Sequence, residues 1–150
     1  MQTAKQLSVS LVNKPGRLAT LLAALSKEKV SFRALSVMDS GERGTLRFVP
    51  DEIEIAMEVL EKANLRFDAT DVLLVEVPNQ PGSFRKIFER LAAEHLNIDY
   101  AYSSSDAGSS GKGGSLAVIK VNDLVKAQRT LGPNGATVRR KPGRRPVYAR

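Results

Sequence analysis

Two short segments combine the residue types that recognise a small zwitterion: Asn13-Lys14-Pro15-Gly16 and Asn79-Gln80-Pro81-Gly82. Each lies between an apolar run and a stretch with helical apolar spacing, so each predicts a tight turn into a helix. The first-turn N–H groups of Gly16 to Leu18, and of Gly82 to Phe84, then have no intrahelical acceptor and favour an anion. Glycine admits a ligand close to the backbone, proline fixes the corner, and asparagine offers both a donor and an acceptor. A carboxylate placed there gains about 0.3 to 1 kcal/mol from the helix dipole, and up to about 2 kcal/mol when partly buried. Tight binding therefore needs further contacts. The alternative reading is structural, with Asn13 and Asn79 capping the helix or shaping the turn and Pro-Gly only making the corner.

The surroundings of the two segments repeat as well, at a spacing of 66 residues (82 less 16). The runs Leu7-Ser-Val-Ser-Leu-Val12 and Val72-Leu-Leu-Val-Glu-Val77 precede them, and the stripe Leu18, Leu21, Leu22, Leu25 returns as Phe84, Ile87, Phe88, Leu91. The chain is a tandem duplication. Its pattern predicts strand 7–12, helix 16–28, strands 30–39 and 44–49, helix 52–63 and strand 65–69. A second set follows: strand 71–77, helix 82–95, strands 96–103 and 115–121, helix 123–131 and strand 136–139, with only residues 68–70 to serve as a linker. The fold class is therefore α+β: two βαββαβ, ferredoxin-like repeats packed side by side, each an antiparallel sheet with its helices on one face. The expected domains are 1–69 and 70–139, followed by a basic, disordered tail over 140–150. Repeats of about 65 to 70 residues bury only about 60% of their unfolded surface, so the two are expected to share an interface.

Catalysis finds little support. His95 is the only histidine and there is no cysteine, so one chain offers neither a histidine-based metal cluster nor a Ser-His-Asp triad. No metal and no cofactor are expected. The run Gly108-Ser-Ser-Gly-Lys-Gly-Gly114 resembles a phosphate loop, but Asp106 and Gly113 break the pattern and a strand rather than a helix follows. It reads as a long hairpin insertion, with Lys112 reaching a ligand carboxylate as the minority alternative. Glu52, Glu54, Glu58 and Glu61 read as a solvated helix face. Tyr100 and Tyr102 share a strand face and either cover the sheet or stack on a base.

The formal charge is +7. Arg139, Arg140, Lys141, Arg144, Arg145 and Arg150 supply six positives in a tail without acids, and 23 less 6 leaves 17 basic against 16 acidic side chains in the body. Nucleic acid or an acidic partner is thus a tail-only alternative. The inner strands lack the Lys/Arg-Gly-aromatic signature of an RNA-recognition module. No apolar run approaches the roughly 20 residues of a membrane span, and the start Met-Gln-Thr-Ala-Lys-Gln has no signal-peptide core. A cytoplasmic protein without membrane contact is the expectation.

Val-Asn-Lys-Pro-Gly-Arg-Leu at 12–18, Val-Glu-Val-Pro-Asn-Gln-Pro-Gly-Ser-Phe at 75–84 and His-Leu-Asn-Ile-Asp-Tyr-Ala-Tyr at 95–102, in this order and duplicated, resemble the regulatory ACT domains, specifically stand-alone proteins of two ACT repeats. The resemblance covers nearly residues 5–139. It implies a non-catalytic sensor that binds a small amino acid at an interface between ACT units, as a homodimer or with a regulated partner protein. Carried over, the ligand-binding residues are Asn13, Lys14, Pro15, Gly16 and Arg17, and Asn79, Gln80, Pro81, Gly82 and Ser83. A second contact is implied at the start of the next strand, Asn97 in the second repeat and Ser31 in the first, where Ser31 departs from the family's frequent asparagine. A site pairing Asn13 with Asn97 is then better furnished than one pairing Asn79 with Ser31. The alternative function is a structural or partner-binding protein working through its basic tail.

Overall fold

The computed structural model describes residues 2–105 and 114–132. The elements run β1 (Gln2–Val12), α1 (Arg17–Lys27), β2 (Phe32–Ser40), β3 (Arg43–Pro50), α2 (Ile53–Lys62), β4 (Phe67–Pro78), α3 (Ser83–Ala93), β5 (Ile98–Ser105), β6 (Gly114–Val121) and α4 (Leu124–Leu131). The βαββα order therefore appears twice, as the duplicated pattern requires. The strand expected at 136–139, the 106–113 loop with Lys112, and the basic tail lie outside the described residues.

Two compact units divide the chain inside β4, between Asp71 and Val72. The first unit is Lys5–Asp71, in which the strands stand in the order β2-β3-β1 and then the start of β4. The second contains the chain from Val72 onward together with the chain's first residues through Ala4, and its order is the start of β1, then β4-β6-β5. All the β1–β3, β2–β3, β4–β6 and β5–β6 pairings are antiparallel. The expected linker at 68–70 is instead strand, because Asp68-Ala-Thr70 holds no glycine or proline to break extension and β4 runs through it unbroken. Likewise β1 starts at Gln2 rather than Leu7. Its first residues alternate no apolar side chains, which is why periodicity alone missed them.

Period-two patterning places each core. Leu7, Val9 and Leu11 of β1 point to the helix side and Ser8 and Ser10 to the other, so the first unit's core is these three with Leu46, Phe48, Leu21, Leu25, Ala56 and Leu60. Phe32 meets Phe48 edge to face, ring centroids 5.1 Å apart. The second core holds Leu73, Val75, Val77, Ile87, Leu91, Ala117, Ile119, Ala127 and Leu131. In β6 Leu116, Ala117, Val118 and Ile119 are all buried, so this strand is dry on both faces and reads as a continuous apolar run. Tyr100 and Tyr102 lie half-buried on the face opposite the helices, paired with Lys120 and Val118.

Helices α1, α2 and α3 end alike. Lys29, Asn64 and His95 adopt left-handed φ values of 59, 56 and 57°, and the next residue's N–H reaches back to Leu25, Leu60 or Leu91. The buried Val30, the half-buried Leu65 and the buried Leu96 follow, tucking the chain onto the core. This explains the lone histidine: His95 is exposed and sits in a helix stop whose conformation suits glycine. Lys29→Gly and His95→Gly are each expected to stabilise the protein by up to about 1 kcal/mol, read as a higher urea midpoint at unchanged slope.

Candidate functional site

Both Asn-x-Pro-Gly segments fold to one conformation. Gly16 and Gly82 occupy the N-cap positions of α1 and α3 with φ of 86 and 83°, and neither helix has a side-chain cap. A Cβ at either glycine would meet no atom within 4 Å, so it is the positive φ, not crowding, that demands glycine. The turns are held by matching bonds, Lys14 N–H to the Val12 carbonyl and Arg17 N–H to that of Lys14, with Gln80 to Pro78 and Ser83 to Gln80 as counterparts. The N–H groups of Arg17 and Ser83 are therefore turned inward, contrary to the expectation that every donor from Gly16 to Leu18 and from Gly82 to Phe84 faces out. The Thr20 and Lys86 N–H groups close the first intrahelical bonds onto Gly16 and Gly82. This leaves the amides of Gly16, Leu18 and Ala19, and of Gly82, Phe84 and Arg85, as the donors of a helix start.

The asparagine at the first loop does not cap its helix. Asn13 Nδ2 donates to Asp39 Oδ1 at 3.1 Å and to the Gly41 carbonyl at 3.0 Å, and the Asn13 N–H donates to the Glu42 carbonyl at 2.8 Å. Both side-chain contacts are acceptors, so the amide nitrogen must face them. The loop is thereby tied to the β2–β3 hairpin, where the Gly41 N–H also donates to Asp39 Oδ1 at 2.9 Å. Both side-chain donors being engaged, Asn13 presents Oδ1, an acceptor, beside a helix start that presents donors. Asn13, Lys14, Pro15, Gly16 and Arg17 are exposed, as are Asn79, Gln80, Pro81 and Gly82. Ser83 is buried at 7% exposure, which leaves its side chain little access to a ligand.

Ser31 and Asn97 are exposed at the starts of β2 and β5, and both are locked by the same reciprocal pair. Ser31 N–H donates to Asp51 Oδ1 at 2.9 Å while Asp51 N–H donates back to the Ser31 carbonyl at 3.0 Å. Asn97 and Asn122 repeat this at 3.0 and 3.2 Å. The sequence reading overlooked Asp51 and Asn122; the signal was a short polar side chain at the end of the third strand of each repeat. Asn97 Nδ2 further donates to Asp99 Oδ1 at 3.0 Å, and Lys120 Nζ stands 3.8 Å from Asp99 Oδ2.

Register keeps the two halves of the implied contact set apart within one repeat. Val12 and Ser40 both pair with Arg43, so the Asn13 loop lies beside the end of β2. Ser31 precedes Phe32, which pairs with Pro50 at the other end of β3. Within the first unit the Asn13 loop and Ser31 therefore stand at opposite ends of β3. Among the described residues no cluster of three or more His, Asp or Glu could hold a metal ion. No helix among them is long and apolar enough to cross a membrane.

The comparisons with known proteins match this architecture. Protein BT0572 from Bacteroides thetaiotaomicron is 31% identical, with a TM-score of 0.78 over 86% of each chain. The regulatory subunits of aspartate kinase from Thermus thermophilus and Thermus flavus align with TM-scores of 0.60 and 0.57 at 18% and 17% identity, over 87% of this chain and 95% and 94% of theirs. At those identities the likeness is one of fold. No curated protein matches the chain. The family described as ACT domain pair matches residues 2–128, and on that match this chain belongs to the ACT domain family as a tandem pair.

Proposed function

We propose that this ACT domain pair is a regulatory sensor without catalysis of its own, which binds a small amino acid and passes the bound state to a partner protein. The observation that carries the reading is the shared loop conformation: in both repeats a left-handed glycine without a side chain opens a helix whose remaining amides are donors for an external acceptor. The ligand carboxylate would sit on the amides of Leu18 and Ala19, or of Phe84 and Arg85, and Asn13 Oδ1 would accept from the ligand ammonium. Lys14 and Arg17 stand exposed at the same corner and add positive charge. The second contact, Ser31 or Asn97, would come from another repeat. That solved neighbours of this fold are regulatory subunits of aspartate kinase is consistent with amino-acid regulation.

A thermal-shift screen of the twenty amino acids tests this. At 100 times Kd a ligand stabilises by about 2.7 kcal/mol, and a shift of several degrees confined to one chemical class is expected. Uniformly flat curves across all twenty at millimolar concentration would sink the sensor reading.

A further inference from the structure

The helix pairs of the two repeats differ at one corresponding point. In the first repeat α1 and α2 leave between them an open groove of about 270 Å³, lined by Ala24, Ile55 and Val59 with Glu28 and Glu58 beside them. The counterpart of Ala24, at the spacing of 66, is Arg90; that of Val59, at the spacing of 71 that separates Asp51 from Asn122, is Thr130. In the second repeat these two residues are joined: the half-buried Arg90 crosses from α3 and donates through Nη2 to the Thr130 carbonyl in the last turn of α4. The first repeat has the carbonyl without the arginine. Val59 accepts one backbone bond, from the Ala63 N–H, and a carbonyl oxygen has two lone pairs. Lys27 and Lys62 also line the groove, but α2 around them is acidic. Residues 51–62 carry Asp51, Glu52, Glu54, Glu58 and Glu61 against Lys62 alone, whereas 122–132 carry Asp123 against Lys126 and Arg129. Among the described residues neither Glu28 nor Glu58 forms an ion pair.

We propose that this groove is a docking site for an arginine side chain presented by a partner protein, the guanidinium taking the place that Arg90 holds in the second repeat. Three features select that occupant. A volume of about 270 Å³ lies below the roughly 300 to 1,000 Å³ of small-molecule pockets and suits a single side chain. The apolar lining accepts the weakly hydrated guanidinium plane and its aliphatic stem better than it accepts a compact ammonium. The C-terminal end of α2 and the carboxylates of Glu28 and Glu58 favour a cation. A free amino acid fits less well, because its own carboxylate would stand against those same carboxylates. The groove takes the C-terminal half of α1, whereas the Asn13 loop opens the N-terminal end of that helix. Docking therefore goes beyond the sensor reading and needs no bound amino acid.

The test is titration of the full chain with Nα-acetyl-arginine amide, a capped residue with neither a carboxylate nor a free α-amine, followed through backbone amide chemical shifts. Shifts centred on Ala24, Val59 and Ala63 are expected, with weaker binding at the groove by the capped lysine analogue and by free arginine. Ala24→Arg copies the residue that the second repeat carries at this point, so it should stay folded and abolish the response. Glu58→Gln should raise the Kd roughly 1.5- to 5-fold, the size of one exposed ion pair. Absence of shifts at the groove with millimolar probe overturns the proposal, and so does an undiminished response in Ala24→Arg or tighter binding of free arginine there. Groove shifts that grow with the concentration of the protein alone also overturn it, since they make the face a contact between copies. Thermal shifts with the twenty amino acids report on the Asn13 and Asn79 loops separately, so a silent groove beside a responsive loop strikes this proposal and leaves the sensor standing.

Discussion

Phe48→Ala is expected to destabilise the Lys5–Asp71 unit by about 3 to 5 kcal/mol, the range for emptying a fully buried aromatic position. Phe48 is 0% exposed and lies in β3, flanked by Leu7 on β1 and Leu35 on β2 and met edge-on by Phe32. Those neighbours are on the two strands that flank β3, so no single shift can collapse the void. The loss should appear as a lower urea midpoint. It also reaches the loop. The β2–β3 hairpin that grips Asn13 is anchored through this residue, and amino-acid binding should weaken in Phe48→Ala in step with the population that remains folded. Val37→Lys supplies the contrast, since Val37 is over half exposed on the same face and should change stability little. A Phe48→Ala variant within about 1 kcal/mol of wild type would refute this account of the core.

The helices and the inner strands were legible because their apolar residues repeat at periods that only one structure satisfies. Leu7, Val9 and Leu11 alternate, and Ile87 and Leu91 recur one helical turn apart. What was not legible has physical causes. The strand character of residues 2–6 and 68–70 comes from backbone pairing, which leaves no apolar signature in the side chains. The positive φ at His95 and Lys29 is imposed by the buried residue that follows each, a tertiary demand on residue types that do not advertise it. At the site, the Pro-Gly corner announced itself through glycine and proline. The direction of the Asn13 amide depends on Asp39, 26 positions away, and on the Gly41 carbonyl, so the sequence could name the asparagine without saying which of its atoms remains to meet a ligand. The reciprocal lock of Ser31 by Asp51 was hidden for the same reason.

Asn13→Ala should cut the ligand-induced thermal shift to about half or less while leaving the protein folded. Two effects combine. The variant loses Oδ1, the acceptor assigned to the ligand ammonium, and it loses the two bonds that hold the loop to Asp39 and Gly41. An unpaired ammonium at a site built to accept it costs about 1.5 to 3 kcal/mol, or a Kd raised roughly 10- to 150-fold. The loop bonds are exposed, so their loss should lower stability by no more than about 1 kcal/mol each. Asp39→Ala separates the two effects, because it keeps Oδ1 but frees the amide it holds. Its Kd should rise by less than that of Asn13→Ala, as the loop spends part of its time turned away from the ligand. Isothermal titration of wild type and both variants with the amino acid that gives the largest shift provides the comparison. Should Asn13→Ala keep the wild-type Kd, the loop is a fold-making turn and the ligand, if bound, is held elsewhere. Should Asp39→Ala lose more than Asn13→Ala, the hairpin rather than the asparagine makes the contact.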